Sequence, residues 1–301
     1  MHTCLHLDVH ICKLKYEATS IQSESSEQAT LSDMAVTKFV GYESVPFEYS
    51  YGPTQVMLYN LGVGASTKTK HGLELLYEGS ENFAALTSFG VVPAYEGLTS
   101  LISGKVPGLE IDLSKVLHGE QYTELLAEKF PTEAILTSTF KIAAILDKGS
   151  GSIYVLDIVS KNKDTNEVVV SNQFSIFVVG TGGFNGPRNS DKVVETKPKP
   201  NRSPDHSTLY QTSIDQAALY RLSGDSNPLH IDPSFAGKSG FEKPILHGLC
   251  TEGIAVREIT SVFSPTDASK VRAVKARFAK PVFPGQTIRT NMWNEGAYIL
   301  F

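Results

Sequence analysis

The sequence is poor in cysteine, in long apolar runs and in clustered positive charge. Its three cysteines, Cys4, Cys12 and Cys250, exclude a disulfide framework and make a reducing compartment the default. The longest apolar runs, such as Phe174-Ser-Ile-Phe-Val-Val179, are far too short to cross a bilayer, so no membrane span is expected. With 27 Lys and Arg against 32 Asp and Glu the net charge is -5, and no basic block stands out. That argues against nucleic acid as a partner but leaves room for single basic residues that meet a phosphorylated ligand. The opening residues lack the layout of a secretory signal, and Tyr298-Ile-Leu-Phe301 is no peroxisomal address of the Ser-Lys-Leu kind. The residues themselves give no localisation.

A chain of 301 residues buries one large core or two ordinary ones. Residues 1–35 belong to neither. His2, Cys4, His6, His10 and Cys12 invite a metal reading, but their spacing fits no usual zinc pattern, and no metal site is expected. Residues 18–33 are rich in Ser, Glu, Gln and Thr and read as a flexible linker. A first unit, residues 36–180, opens with a helix over Tyr51–Gly64. A mostly apolar stretch from Asn82 to Ile102 follows, interrupted by Gly90, Pro93 and Gly97. Three β-rich segments come next, Ile135–Leu146, Ser152–Lys161 and Glu167–Gly180, with breaks that suit hairpins. The run Gly180-Thr-Gly-Gly-Phe-Asn-Gly186 imitates a dinucleotide fingerprint, but Asn185 stands where a Gly is needed and no apolar helix follows. Residues 181–206, with Lys197-Pro-Lys-Pro-Asn-Arg-Ser-Pro204, read as an extended linker.

The second unit, residues 207–301, repeats the first. Leu58-Tyr-Asn-Leu61 lines up with Leu219-Tyr-Arg-Leu222, and Phe89-Gly90 with His247-Gly248. Leu246–Phe263 reads as a second central helix, followed by strands Val271–Phe283, Thr287–Trp293 and one starting at Tyr298. A helix followed by an antiparallel sheet, occurring twice, predicts an α+β fold in which each sheet wraps a buried helix. The copies differ at two points. The second stops four residues after Ala297, so a counterpart of Val168–Val179 is expected to be missing, which would leave an unpaired edge. Only the second copy carries Asp and His after its Tyr-x-Leu helix.

That last difference holds the chemistry. Ile214, Ala217, Ala218, Leu219 and Leu222 recur at helical spacing, Ser213 reads as the N-cap, and Gly224 ends the helix. Asn227-Pro228 then forces a turn, and His230 follows five residues after Asp225. A turn of that length brings a carboxylate and an imidazole to one point, where they can hold a water molecule and move its protons. Taken alone, Asp-x-Asn-Pro would be read as a polar turn.

The longer run, Tyr220-x-Leu-Ser-Gly-Asp-x-Asn-Pro-Leu-His-x-Asp-Pro-x-Phe-Ala236, resembles the signature of the R-specific 2-enoyl-CoA hydratases (hydratase 2), a branch of the MaoC-like hydratases and dehydratases. More narrowly, residues from about 36 to 301 look like the hydratase domain of the peroxisomal type 2 multifunctional enzymes. The resemblance implies a double hot-dog fold and a hydro-lyase that hydrates trans-2-enoyl-CoA to (3R)-3-hydroxyacyl-CoA in β-oxidation. It casts Asp225 and His230 as the acid–base pair, Asn227 as an orienting or turn-capping residue, and the Gly248 N–H as the oxyanion donor. Substrate contacts would come from His118, Gly119, Lys148, Ser226, Pro228, Leu229 and Phe278, with Tyr59 and Glu78 in support. His247 is expected to be structural. No cofactor is implied, because CoA is part of the substrate. The expected partners are acyl-CoA thioesters, a second copy in a homodimer, and dehydrogenase and sterol-carrier-like domains in a longer protein of which this chain looks like a fragment or a divergent isoform. Two rival functions stay open: a dehydratase of carrier-bound thioesters in synthesis, and a non-catalytic fragment that binds acyl-CoA or a partner subunit.

Overall fold

In the computed structural model, the described residues are 9–10 and 34–301. The histidine and cysteine cluster near the N-terminus and the linker at 18–33 therefore fall outside them, apart from the backbone of His10.

Among the described residues, ten antiparallel strands form one sheet. Strand β1 (Val9–His10) comes from far upstream. The first half of the chain supplies β2 (Phe47–Tyr51), β3 (Val116–Leu125), β4 (Ala134–Asp147), β5 (Gly151–Asn162) and β6 (Val168–Val179). The second half supplies β7 (His206–Gln211), β8 (Ala273–Arg277), β9 (Thr287–Asn294) and β10 (Ile299–Leu300). The order is β2-β4-β5-β6-β3-β8-β1-β10-β9-β7. Read inward from either end, the two halves match strand for strand and meet where β3 pairs with β8, Tyr122 opposite Lys275. In this matching β1 stands where β6 stands in the other half, pairing Val9 with Ala276 and His10 with both Lys275 and Leu300. The place expected to be vacant is thus spanned over two residues, against the twelve of β6.

The helices are α1 (Met34–Thr37), α2 (Pro53–Gly62), α3 (Leu73–Leu76), α4 (Tyr95–Ile102), α5 (Gln216–Tyr220), α6 (Pro233–Lys238) and α7 (Gly248–Phe263). The central helix of the second half, α7, is buried along most of its length. Its Ala255, Val256 and Ile259 pack on Val274 and Ala276 of β8, Met292 of β9 and Phe301. The matching stretch of the first half is broken. A 3-10 turn over Thr87–Val91 precedes α4, because Pro93 cannot continue a helix and Gly90 lets the backbone approach the sheet. A Cβ at Gly90 would lie 2.7 Å from Val170 Cγ2. Each half is a sheet curved around a helical layer, and together they make a double hot-dog.

The aligned Leu-Tyr-x-Leu segments meet at the junction. Tyr59 of α2 and Tyr220 of α5 are fully buried, with ring centroids 6.0 Å apart. Ser213 does not cap α5. Its hydroxyl accepts from Asp215 N, and the helix starts at Gln216, whose Nε2 donates to Gly62 O across the junction at 2.7 Å. Contact between the halves therefore sets the start of α5. The strand expected over Val271–Phe283 is confined to β8, since Pro281 and Pro284 cannot donate to a ladder. The continuous burial of the second part of β4 also has a local cause. Val193 of the 181–206 segment packs on Ala143, Leu146 and Val155, while Gln173 bonds Lys192 O and Val194 N on either side of it.

Candidate active site between the two halves

The Asp225–His230 turn is held at every residue that matters. Gly224 adopts φ 127°, a left-handed value that an L side chain resists, and so turns the chain out of the preceding 3-10 turn. The Asp225 Oδ1 atom accepts from Asn227 N at 3.2 Å, and Asn227 Oδ1 accepts from Leu229 N at 3.0 Å, capping the short turn Pro228–His230. Asp232 then caps α6 by accepting from Ser234 N. His230 closes the turn with Nδ1 2.8 Å from Ile245 O. A carbonyl accepts only, so Nδ1 carries the proton and Nε2 keeps its lone pair. Burial lowers the pKa of His230, and the Asp225 charge opposes the shift.

His247 lies against His230, with ring centroids 3.7 Å apart and planes tilted by 30°, and its Nε2 lies 3.3 Å from Asp225 O. Burial, followed by the neighbouring His230, lowers its pKa strongly, so both rings are neutral at ordinary pH. One carboxylate oxygen of Asp225 and one nitrogen from each ring lie within 4.8 Å of one another, a donor set that suits a metal ion. One nitrogen of each ring is already committed, however, His247 Nε2 to the Asp225 carbonyl and His230 Nδ1 to the Ile245 carbonyl. The set is better suited to handling protons than to ligating a cation.

Asp225, Ser226, Asn227, Pro228, Leu229 and His230 form one wall of a cavity of about 490 Å³. The first half supplies another part of the lining: Tyr95, Leu98 and Ile102 of α4, Leu117 and His118 of β3, and Ile176 of β6. Gly248 and Phe278 complete it. The lining is largely apolar, so an acyl chain fits it better than a sugar or a nucleotide. His118 stacks on Phe174 and meets Phe278 edge-on, with centroids 5.3 and 5.1 Å away. Burial brings its pKa down to about 4, leaving a neutral ring in the wall.

Gly248 is the first residue of α7, so its N–H has no partner within the helix and lies at the positive end of the helix dipole. A Cβ there would lie 3.0 Å from Cδ1 and Cγ of Phe278. Glycine at this position keeps the backbone donor open to the cavity.

Of the residues singled out in the sequence, Asp225, Ser226, Asn227, Pro228, Leu229, His230, Gly248, His118 and Phe278 come together here. Gly119 lies at a bulge in β3 behind the wall, its carbonyl accepting from Phe278 N at 2.9 Å. Lys148 does not reach the cavity wall. It sits in the β4–β5 hairpin, its ammonium donating to Arg188 O and Asn189 Oδ1. Tyr59 lies in the core beneath the site, and Glu78 is an exposed turn residue. Sequence reasoning missed Tyr95, whose hydroxyl donates to Asp225 Oδ2 at 3.2 Å. It lies in the broken apolar stretch, 130 residues before its partner, where no local pattern marks it.

Known proteins give a consistent picture. Residues 49–180 match the MFE-2 hydratase 2 N-terminal domain, and residues 195–301 match the MaoC like domain. The chain is 50% identical over 262 residues to mouse peroxisomal multifunctional enzyme type 2, covering 87% of this chain and 35% of that protein. It is 41% identical to a probable enoyl-CoA hydratase 2 of Dictyostelium discoideum, covering 86% of each. The solved full-length peroxisomal multifunctional enzyme type 2 of Drosophila melanogaster superposes with a TM-score of 0.74 at 40% identity, over 85% of this chain and 44% of that one. The chain thus spans a third to under a half of the multifunctional relatives and nearly all of the stand-alone one, and it belongs to the hydratase 2 family of MaoC-like proteins.

Proposed function

We propose that this chain is a hydro-lyase that adds water reversibly to trans-2-enoyl-CoA, giving (3R)-3-hydroxyacyl-CoA. The observation that carries this reading is the meeting of Asp225, His230 and the Gly248 N–H around a single apolar cavity. With the acyl chain along the wall from the first half, the thioester oxygen faces the start of α7, and a water sits between Asp225 and His230. The Asp225–His230 pair takes one proton from that water as its oxygen bonds to C3. The C2–C3 π electrons move toward the thioester oxygen, where the Gly248 N–H stabilises the developing negative charge. The pair then returns a proton to C2, so one water is added and nothing is oxidised or reduced. CoA enters as part of the substrate, and no separate cofactor takes part in the step.

Asn227 holds the turn that aims the pair, His118 and Phe278 close the pocket over the thioester, and Ser226, Pro228 and Leu229 line it. Lys148 and Gly119 would serve the CoA portion beyond the cavity, with Tyr59 and Glu78 in supporting places. The units would be residues 36–180 for the acyl groove and 207–301 for the chemistry, joined by 181–206. By its relatives' names, the chain works in peroxisomes, in β-oxidation, and is part of a multifunctional protein that carries further domains. A homodimer is the expected assembly.

The test is hydration of trans-2-decenoyl-CoA by the purified chain, followed through loss of the conjugated enoyl absorbance with chiral analysis of the product. Formation of the 3R alcohol, lost in Asp225→Asn, supports the proposal. A 3S product, or no turnover by folded protein that binds the substrate, overturns it.

A further inference from the structure

The two oxygens of the Asp225 carboxylate are held from opposite halves of the molecule. Oδ1 accepts from Asn227 N in its own turn, and Oδ2 accepts from the hydroxyl of Tyr95, the first residue of α4, at 3.2 Å. Each oxygen keeps a second lone pair, so the carboxylate can be fixed in rotation and still accept a proton from water. Tyr95 is itself fixed. It is 6% exposed, belongs to the buried cluster with Tyr59 and Tyr220, and packs against the Asp225 turn. A Cβ at Gly224 would lie 3.4 Å from Tyr95 Cδ2. The ring also lines the cavity. Burial, with the Asp225 charge adding to it, raises the Tyr95 pKa well above 10, so the hydroxyl remains a donor throughout the working range of pH.

We propose that Tyr95 is a positioning residue for the hydration, a donor from the first half that holds the Asp225 carboxylate in the orientation from which it engages the water. This rests on the hydratase reading given above and deepens it. An untethered carboxylate rotates about its χ2, which is broad for a terminal planar group, and spends part of its time with neither lone pair toward the water. A hydrogen bond to a charged acceptor is among the stronger ones, so its loss reaches the reacting group directly. The first half would thus orient the acid–base pair of the second as well as hold the acyl chain. Tight docking at the Tyr59–Tyr220 junction then becomes a condition for turnover.

Tyr95→Phe removes the oxygen and keeps the ring. In the full chain, we expect kcat with trans-2-decenoyl-CoA to fall about ten- to a hundredfold, the size expected for losing a hydrogen bond to a charged group. We expect KM to move less than about twofold, because the cavity wall is unchanged. The position is overturned by an unchanged kcat or by a loss confined to KM. The wild type and Asp225→Asn are measured in the same series. An inert wild type sinks the hydratase reading, and with it this role. An active wild type, an inert Asp225→Asn and an unaffected Tyr95→Phe sink the role of Tyr95 alone.

Discussion

Lys275 Nζ lies 2.7 Å from Glu120 Oε2 across the junction of β8 with β3, and the lysine side chain is fully buried while the glutamate is 25% exposed. The pair therefore ties the two halves together at the middle of the sheet. Removing one partner of a buried pair leaves an uncompensated charge, at a typical cost of about 3–5 kcal/mol. Water reaches Glu120, which pulls the expectation for Glu120→Gln to the low end, about 3 kcal/mol. Urea denaturation checks it. A loss smaller than about 1 kcal/mol would show that water or a neighbouring group satisfies the ammonium instead.

Glu252 on α7 is fully buried near Lys275, and neither carboxylate oxygen has a hydrogen-bond partner among the described residues. Burial raises its pKa well above 4.5, with Lys275 opposing. A carboxyl whose pKa is raised on folding contributes stability below its unfolded pKa and loses it as pH rises toward the folded one. Glu252→Gln cannot ionise, so the variant should match the wild type near pH ~4.5 and become progressively more stable than it at higher pH. Melting temperatures of both proteins across that window decide the matter. A gap that stays constant with pH would mean that folding does not raise the pKa of this carboxyl.

Much of this was legible beforehand, for identifiable physical reasons. The strands β4, β5 and β6 and the hairpins between them announce themselves through Val, Ile and Phe between turn residues. The correspondence of Tyr59 with Tyr220 is legible in the repeated Leu-Tyr-x-Leu segments, but the meeting of their rings is made only by docking the two halves. Asp225 and His230 share a single turn, which alone reads as polar surface, and the longer run from Tyr220 to Ala236 is what made them legible. Tyr95 was not, because its partnership with Asp225 is made by docking two halves and leaves no spacing to read. The Glu252–Lys275 neighbourhood was hidden for the same reason, since helix and strand bring it together across 23 residues of unremarkable sequence. The start of α5 was misplaced because Gln216 answers to Gly62 in the other half, and Ser213 matches a cap only in pattern.

On the hydratase reading, His230 would set the lower pH limit of turnover. Burial lowers the pKa of His230, so the neutral ring with its free Nε2 persists below the ordinary imidazole value of about 6.5. The expected kcat/KM profile stays level through pH ~6.5 and declines only below it. A midpoint at or above about 6.5 would contradict this. Stability should follow the same sense. His118, brought down to about 4, and His247 contribute stability that is present above the unfolded imidazole value and lost as pH falls through their depressed ones.

Gly248 offers a test of the donor at the start of α7. A Cβ there meets the Phe278 ring at 3.0 Å, and Phe278 lines the same cavity as Gly248. Gly248→Ala is expected to lower kcat by roughly 10²-fold, the lower range for losing an oxyanion donor, while the melting temperature changes little. Pairing it with Phe278→Leu separates two causes. Recovery of kcat in the double variant would assign the loss to a displaced ring, and persistence would assign it to a thioester oxygen held away from the N–H.

The division of labour between the halves can be checked at Ile102, near the end of α4, in the part of the cavity wall contributed by the first half. If the acyl chain lies along Leu98, Ile102 and Ile176, a larger side chain at 102 shortens the groove without touching Asp225, His230 or Gly248. Ile102→Trp should then raise KM for trans-2-decenoyl-CoA about tenfold, the scale of discrimination that a few methylenes provide in an apolar pocket. Turnover of a four-carbon enoyl-CoA should be nearly unaffected, because its short chain ends before the obstruction. Equal losses for both substrates would place the acyl chain elsewhere, along the Phe241 and Ile245 side of the cavity, and assign chain-length selection to the second half.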